Sequence, residues 1–357
     1  MKKCLALLLS LFFMFSLCAF FVPESTAAAA GEFTALCYNV AGLPNFDYLT
    51  GGEPVNVINN QVCIGKYVSE KQYDIFAVQE DFGYHDNLVG ALDGYAYKTY
   101  HHGSVPYGDG TNVFTRTMPM YNEAHIVWEQ LYGIADDGAD EFSQKGITYV
   151  CIKAADDVYI DFYDIHADAY GDAGSLAARQ DNFRQLAEII KNRSVDRPVI
   201  VTGDFNAYLF NDNSRLKEIF VDDLGLKDAW VEVKNNGNYN DCSYYLNTYG
   251  SGWTGKWGVW DSVERFMYKD GGGISLTCTS FEYVDVLNAK GLSCSDHKAA
   301  EAAFSYSVVS HGEDLGEGTA VTENNGFLEI LRRIVTFIQK LILGITNFDK
   351  VRAYFGF

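Results

Sequence analysis

The chain reads as a layered α/β domain. Short apolar or alternating runs recur between polar turns, a helix with one apolar face interrupts them, and about 300 residues rich in Val, Ile, Phe and Tyr can bury one large core. The runs are Phe33 to Val40, Tyr73 to Gln79, Asn112 to Thr115, Gly146 to Ile152, Val158 to Ile165 and Pro198 to Thr202, each of strand length. Between the last two, Ser175 to Lys191 sets Leu176, Phe183, Leu186, Ala187 and Ile190 on one helical face, with Arg179, Asp181, Arg184 and Glu188 elsewhere. Strands mixed with a covering helix exclude a helical bundle and an all-β sandwich.

Both ends of the chain differ from this body. Met1-Lys2-Lys3, an apolar stretch from Leu5 to Val22 and the small residues Ser25 to Ala30 make residues 1–30 a signal peptide and the protein secreted. An uncleaved anchor is the competing reading, disfavoured by the alanine-rich exit that runs straight into a strand pattern. The domain spans 31–306. Residues 307–325, rich in Gly, Glu, Ser and Thr, read as a linker, and 326–357 as a basic amphipathic helix with a wide apolar face.

The formal charge is −20, and taking away Lys2, Lys3 and Glu24 with the leader leaves −21. Arg332, Arg333, Lys340, Lys350 and Arg352 against Glu329 and Asp349 give the tail +3, so residues 31–325 carry −24. Such a body lacks the basic stripe that supplies most non-specific affinity for nucleic acid. A basic tail on an acidic body suits contact with an anionic membrane or cell surface, or docking on its own domain. No protein partner is inferred. Six cysteines follow the leader, Cys37, Cys63, Cys151, Cys242, Cys278 and Cys294, enough for three disulfides in any of 15 pairings. None is spaced as C-x₂-C, which argues against a structural zinc knot.

Five segments put acid/base or metal-ligating side chains at strand ends. Asn39 follows Ala35 to Tyr38, Glu80 follows Phe76 to Gln79, His166 follows Phe162 to Ile165, Gly203-Asp204-Phe205-Asn206 follows Val199 to Thr202, and Ser295-Asp296-His297 stands near the domain's end. Singly, each has a plain structural reading: a solvated Glu, an Asx turn, a satisfied core His. Together they form a set. Glu80 and Asn39 are oxygen ligands for a hard cation, Mg²⁺ first with Mn²⁺ or Ca²⁺ as alternatives, and Asp204 can share that metal or orient water. His297 is the general base, and Asn206 and His166 can donate to phosphoryl oxygens. Asp296 stands near the metal or braces His166.

The order Asn-Val, Gln-Glu, x-His-x, Gly-Asp-Phe-Asn and Ser-Asp-His resembles the endonuclease/exonuclease/phosphatase superfamily over residues 33 to 306. That superfamily holds DNase I-like nucleases, exonuclease III-like repair enzymes, inositol polyphosphate 5-phosphatases and neutral sphingomyelinases. The resemblance implies a four-layer sandwich, two packed β-sheets flanked by helices, with the site at one end of the sheets, and it agrees with the roles above. The chain departs from the pattern twice. Glu264 stands where the family usually has an Asp orienting the base, with Asp261 as a substitute, and Asp164-Ile165-His166-Ala167 replaces the usual neighbours of the histidine. Lys145-Gly146 resembles a step of the sphingomyelinase and inositol phosphatase branches, so Lys145 is a candidate phosphate contact, against the plain reading of a solvated lysine. Tyr244, Tyr245, Tyr249, Trp253, Trp257 and Trp260 form an aromatic lip or a packed long loop.

The expectation is therefore a secreted Mg²⁺-dependent phosphoester hydrolase acting on a phospholipid head group, sphingomyelinase-like. An extracellular nuclease of DNase I type is the alternative, and a catalytically inactive surface-binding module is the reading from another class.

Overall fold

Two six-stranded sheets form the body of the protein in the computed structural model, which describes residues 30–43, 57–133, 140–141, 143–209, 214–240 and 262–309. The leader before Ala30, the aromatic segment from Tyr244 to Trp260 with Asp261, and the linker and tail from residue 310 lie outside the described residues.

The first sheet runs β11-β12-β1-β2-β4-β3, from β1 (Ala30–Asn39), β2 (Ile75–Gln79), β3 (Tyr97–Lys98), β4 (Asn112–Thr115), β11 (Ile274–Val284) and β12 (Ala299–Val308). The second runs β5-β6-β7-β8-β10-β9, from β5 (Met120–Val127), β6 (Gly146–Ala155), β7 (Val158–His166), β8 (Val199–Asp204), β9 (Lys227–Asp228) and β10 (Glu264–Lys269). Each sheet has one parallel pair, β1 with β2 and β7 with β8. A parallel pair needs a crossover, and helices supply both: α1 (Val57–Lys71) and α3 (Ala173–Arg193). Shorter helices are α2 (His85–Val89), the π-helical α4 (Lys217–Asp223) and α5 (Ala229–Lys234).

The two-residue period of the strands builds the layers. Phe33, Ala35 and Cys37 of β1 and Ile75 and Ala77 of β2 share one core with Ile147, Tyr149, Phe162 and Ile200 of the second sheet. The alternate residues Leu36, Tyr38, Phe76 and Val78 pack instead with Ile64 and Val68 of α1. On the far side Phe183, Leu186, Ala187 and Ile190 of α3 join the main core, so the order is helix, sheet, sheet, helix. This is the four-layer sandwich expected.

The expected helix is longer than Ser175 to Lys191 by two residues at each end, because Asp172 caps it, accepting from Gly174 N at 2.8 Å and Ser175 N at 3.1 Å. Elements that the sequence reading leaves out are α1, α2, α4, α5, β3, β5 and β9 to β12. The buried face of α1 is Val57, Gln61, Ile64, Gly65 and Val68, a helical spacing whose apolar stripe is broken by Gln and Gly. β12 opens Ala-Ala-Glu-Ala-Ala, poor in strand-favouring residues, and is held by β1 and β11 on either side. Cys37, Cys63, Cys151, Cys278 and Cys294 are free thiols, so no disulfide forms among the described residues.

Two buried charged groups tie outer parts to this frame. Arg265 is 1% exposed and donates through Nη1 to Asp228 Oδ2 at 2.7 Å and through Nη2 to Ser262 O at 2.8 Å, while Asp228 also caps α5. Removing one member of a buried pair strands the other charge, so Arg265→Met should lower the unfolding free energy by about 3–5 kcal/mol in urea denaturation. A loss below ~1 kcal/mol would show the pair to be dispensable.

His125 of β5 places Nδ1 2.9 Å from Asp109 Oδ2 and Nε2 3.0 Å from Glu123 Oε1, with Thr148 Oγ1 at 3.1 Å and the His102 ring 4.1 Å away. Burial alone lowers its pKa, but Asp109 and Glu123 outweigh burial and push it up to about 9. A raised folded pKa stabilises the protonated form. The contribution is full below the unfolded value of about 6.5 and is lost as pH rises through about 9. His125→Gln should therefore cost up to about 3 kcal/mol near pH ~6 and much less above pH ~10, read by denaturation across that range. A difference that does not vary with pH would contradict this origin.

Candidate active site

Four of the five segments reach one edge because the parallel pairs end together. Asn39 lies opposite Gln79, which Glu80 follows, and His166 lies opposite Asp204. Glu264 opens β10 opposite Asp204, and Ser295-Asp296-His297 leads into β12, the neighbour of β1. Local backbone geometry aims these side chains. Gly203 has φ 137, and a Cβ there would meet Ile165 O at 2.0 Å, so glycine alone lets β8 approach β7 and deliver Asp204 beside His166.

Asn39 is the hub. Its Nδ2 donates to Glu80 Oε1 at 3.1 Å and to Asp204 Oδ2 at 3.0 Å and lies 3.4 Å from His297 Nε2, while its Oδ1 accepts from Ala41 N at 3.0 Å. Glu264 is fully buried; Oε2 takes the Ser262 hydroxyl at 2.5 Å, and Oε1 makes a short hydrogen bond with His297 Nδ1. The longer carboxylate thus reaches the His297 imidazole, while Asp261 lies outside the described residues. His297 Nδ1 is also 3.9 Å from Asp204 Oδ2. Ser295 fixes the loop, donating to Asn39 O at 2.7 Å and accepting from His297 N at 3.1 Å.

The charges here are interdependent. Burial pushes the Glu80 carboxyl up, opposed by His297, Lys145 and the Asn39 amide. Burial would also raise Asp204, but His166, His297 and Lys145 prevail and hold it below the usual carboxylate range. His166 lies far below its ordinary value through burial and the nearby Lys145, so it is neutral; its Nε2 is 3.4 Å from Asp204 Oδ2. Burial lowers His297, but Glu264 and Asp204 overcome it and lift the imidazole to about 10.

A divalent cation fits this donor set. Glu80, Asp204, Glu264 and Asp296 outnumber the cations, and Glu80 is a buried carboxylate whose raised pKa shows that protein partners leave its charge incompletely compensated. The donors are oxygens, the preference of a hard ion. Asn39 would ligate through Oδ1 only after its amide turned over, since Nδ2 now faces the carboxylates.

Other candidates sit as follows. Asn206 has φ 49, its N–H donates to Asp204 Oδ1 at 2.9 Å, and its Nδ2 donates to Ala167 O at 3.0 Å. It braces the loop and retains a second amide hydrogen. Asp296 has a 78% exposed side chain, with Oδ1 4.0 Å from His297 Nε2, at the rim rather than in the buried cluster. Lys145 is not the solvated lysine of the plain reading: it is 6% exposed, its Nζ is 2.6 Å from Asp140 Oδ1, and its field reaches Glu80, Asp204 and His166. Sequence reasoning missed Asp140 and Asp168, the latter pushed up to about 8 by burial and by Asp140. Neither lies in a motif; Asp140 stands five residues before Lys145, and the fold brings Asp168 to them. Ser262 is missed for the same reason.

Sheets and cluster together define a class of protein. Residues 36–297 match the Endonuclease/Exonuclease/phosphatase family, and the chain belongs to it. A sphingomyelinase of Mycobacterium tuberculosis is 28% identical over 299 residues, covering 79% of this chain and 54% of that protein, so the chain spans about half the length of the curated relatives it matches. Among solved structures, a mutant of beta toxin from Staphylococcus aureus with bound magnesium ions is 16% identical with a TM-score of 0.53, covering 76% of this chain and 99% of that one. The D. rerio protein TDP2 complexed with single-strand DNA product is 15% identical with a TM-score of 0.54, covering 77% and 99%. At such identities the two structures show the shared fold.

Since Glu264 is the strongest influence raising His297, Glu264→Gln should bring the His297 pKa down from about 10 towards its ordinary value in NMR titration of chelator-treated protein. An unmoved titration would mean that Asp204 and Asp296 suffice.

Proposed function

We propose that the chain is a secreted, Mg²⁺-dependent phosphodiesterase that hydrolyses phospholipid head groups in the manner of a sphingomyelinase. The observation that carries the reaction type is the Glu264–His297 pair facing the Asn39-bridged carboxylates of Glu80 and Asp204. Secretion rests on the pattern of residues 1–30. The substrate class rests on the sphingomyelinase relative, on the −24 charge of residues 31–325, and on exposed leucines beside the site. Leu287 and Leu292 are 52% and 61% exposed on the hairpin just before Ser295 and suit insertion at a lipid interface. The basic segment 326–357 is proposed as a further contact with an anionic surface.

Glu80 and Asp204 would hold the cation, with Asn39 after its amide turns over. When bound, the cation neutralises the phosphate and polarises the phosphorus–oxygen bond. Glu264 holds Nδ1–H of His297, and the charge of a bound cation would offset the carboxylates that raise this imidazole to about 10, freeing the Nε2 lone pair as the base. Nε2 takes a proton from water, the water oxygen bonds to phosphorus, and the bond from phosphorus to the lipid oxygen breaks with its electron pair on that oxygen, which takes a proton from solvent and leaves as the alcohol. Neutral His166 and the free amide hydrogen of Asn206 are donors for the charge that gathers on the phosphoryl oxygens.

Release of phosphorylated head group from choline-lipid vesicles, measured beside plasmid nicking at matched Mg²⁺ and salt, should favour lipid. His297→Ala and Glu80→Ala should each reduce turnover by at least ~10³-fold, and a chelator should abolish it. Plasmid cleavage with untouched vesicles would establish the nuclease instead, and inertness on both would establish a binding module.

A further inference from the structure

Glu80 and Asp81 are consecutive acids that face different places. Glu80 adopts a left-handed conformation with φ 56, and the turn sends its carboxylate to Asn39 while Asp81 enters a histidine pair. Asp81 is 1% exposed. Its Oδ2 lies 2.6 Å from His85 Nδ1 and accepts from Asn112 Nδ2 at 3.0 Å, and its backbone carbonyl lies 2.8 Å from His101 Nε2. The two imidazoles stack with centroids 3.9 Å apart and planes 6° from parallel. Asp81 Oδ1 is buried with no hydrogen-bond partner among the described residues. An orphaned buried carboxylate oxygen is costly, and here it belongs to a group whose ligand atoms lie within 4.8 Å of one another.

We propose that Asp81, His85 and His101 form a second divalent-cation site, of Zn²⁺ class, distinct from the Glu80 and Asp204 cluster. Two imidazoles and one carboxylate are the donors of a borderline ion, in contrast to the oxygen-rich catalytic set. Three protein ligands leave one tetrahedral position for water, once one of the two stacked imidazoles turns so that each ring plane contains the ion. The ion joins the first residue of α2 and the segment after β3 to the residue following Glu80, so it steadies the strand end that carries Glu80. His102, Asp109 and His125 also lie within 4.8 Å of one another, but His125 is already bonded on both ring nitrogens, to Asp109 and Glu123. The proposal does not depend on the reaction assigned above.

The test uses the full chain, stripped with chelator and held in excess Mg²⁺. Zn²⁺ is titrated by calorimetry, and Co²⁺ is used as a visible-spectrum probe of nitrogen ligation. Wild type and Glu80→Gln should bind one Zn²⁺ per chain, with a Co²⁺ spectrum and a higher melting temperature. The double variant His85→Asn, His101→Asn should lose that equivalent and spectrum while melting like metal-free wild type. His101→Gln, which keeps an amide donor towards the Asp81 carbonyl, should alone weaken Zn²⁺ at least ~10-fold, since even outer-shell losses cost ~10–100-fold. The proposal is overturned by unchanged Zn²⁺ binding in the double variant and in His101→Gln, by its loss in Glu80→Gln, or by its loss only when His102 and His125 are replaced.

Discussion

The side-chain amide of Asn39 donates to Glu80 at 3.1 Å and to Asp204 at 3.0 Å, and so ties a carboxylate following β2 in one sheet to a carboxylate ending β8 in the other. Two buried like charges would otherwise push the sheet ends apart. A neutral donor can sit between them without adding a charge that itself needs compensation. Because the amide is spent on both acids, the register of β1 against β2 and the packing of one sheet on the other are both felt at this point. A shift of one residue in β1 would turn Asn39 away from the sandwich end and send Leu36 and Tyr38 into the wrong layer.

Behind the amide, further polar links cross the same interface. Gln79 Nε2 donates to Asp164 Oδ1 at 2.5 Å, joining β2 to β7, and the hydroxyls of Thr111 and Thr148 meet at 2.7 Å beside β4 and β6. The seam between sheets is therefore apolar through most of its depth and polar towards the Asn39 cluster. Low dielectric makes each such bond count for more and makes each unpaired group expensive, so the polar end must be specified atom by atom. Support on the second sheet runs in series: Asp228 holds Arg265, Arg265 holds the Ser262 carbonyl, and the Ser262 hydroxyl holds Glu264 against His297.

What the sequence made legible follows from where the information is stored. Strands β1, β2, β4, β6, β7 and β8 carry their pattern in a few adjacent residues, and the motifs at their ends are equally local. Helix α1 is less visible because its buried face spends positions on Gln61 and Gly65, which touch neighbours that only the fold supplies. Gln61, for example, donates to Val40 O at 2.6 Å. In the site, Glu264 was nameable from its place where the family usually has an Asp orienting the base, but its contact with Ser262 was not. Asp140 and Asp168 were invisible because neither stands in a motif, and Asp168 comes near Lys145 only through the fold. Residue type predicts which chemistry is possible, and fold decides which groups share it.

Lys145 sharpens the electrostatic problem of an acidic protein that is proposed to take an anionic substrate. Its ammonium is bound to Asp140 at 2.6 Å, so it is not a loose cation waiting for phosphate. It acts at a distance, lowering Asp204 and holding His166 neutral. A phosphodiester approaching the cluster meets Glu80, Asp204 and the exposed Asp296, and Lys145 with the imidazole of His297 cannot cancel them. Under that proposal attraction would come from a bound divalent ion, whose double charge would change the sign of the local field where a surface lysine would only soften it. That requirement explains how the body can be strongly acidic without losing a phosphate site. Under the proposed reading, affinity for the phosphate is local to the metal, and the rest of the surface is left to choose the substrate by shape and by apolar contact, as proposed for the exposed Leu287 and Leu292.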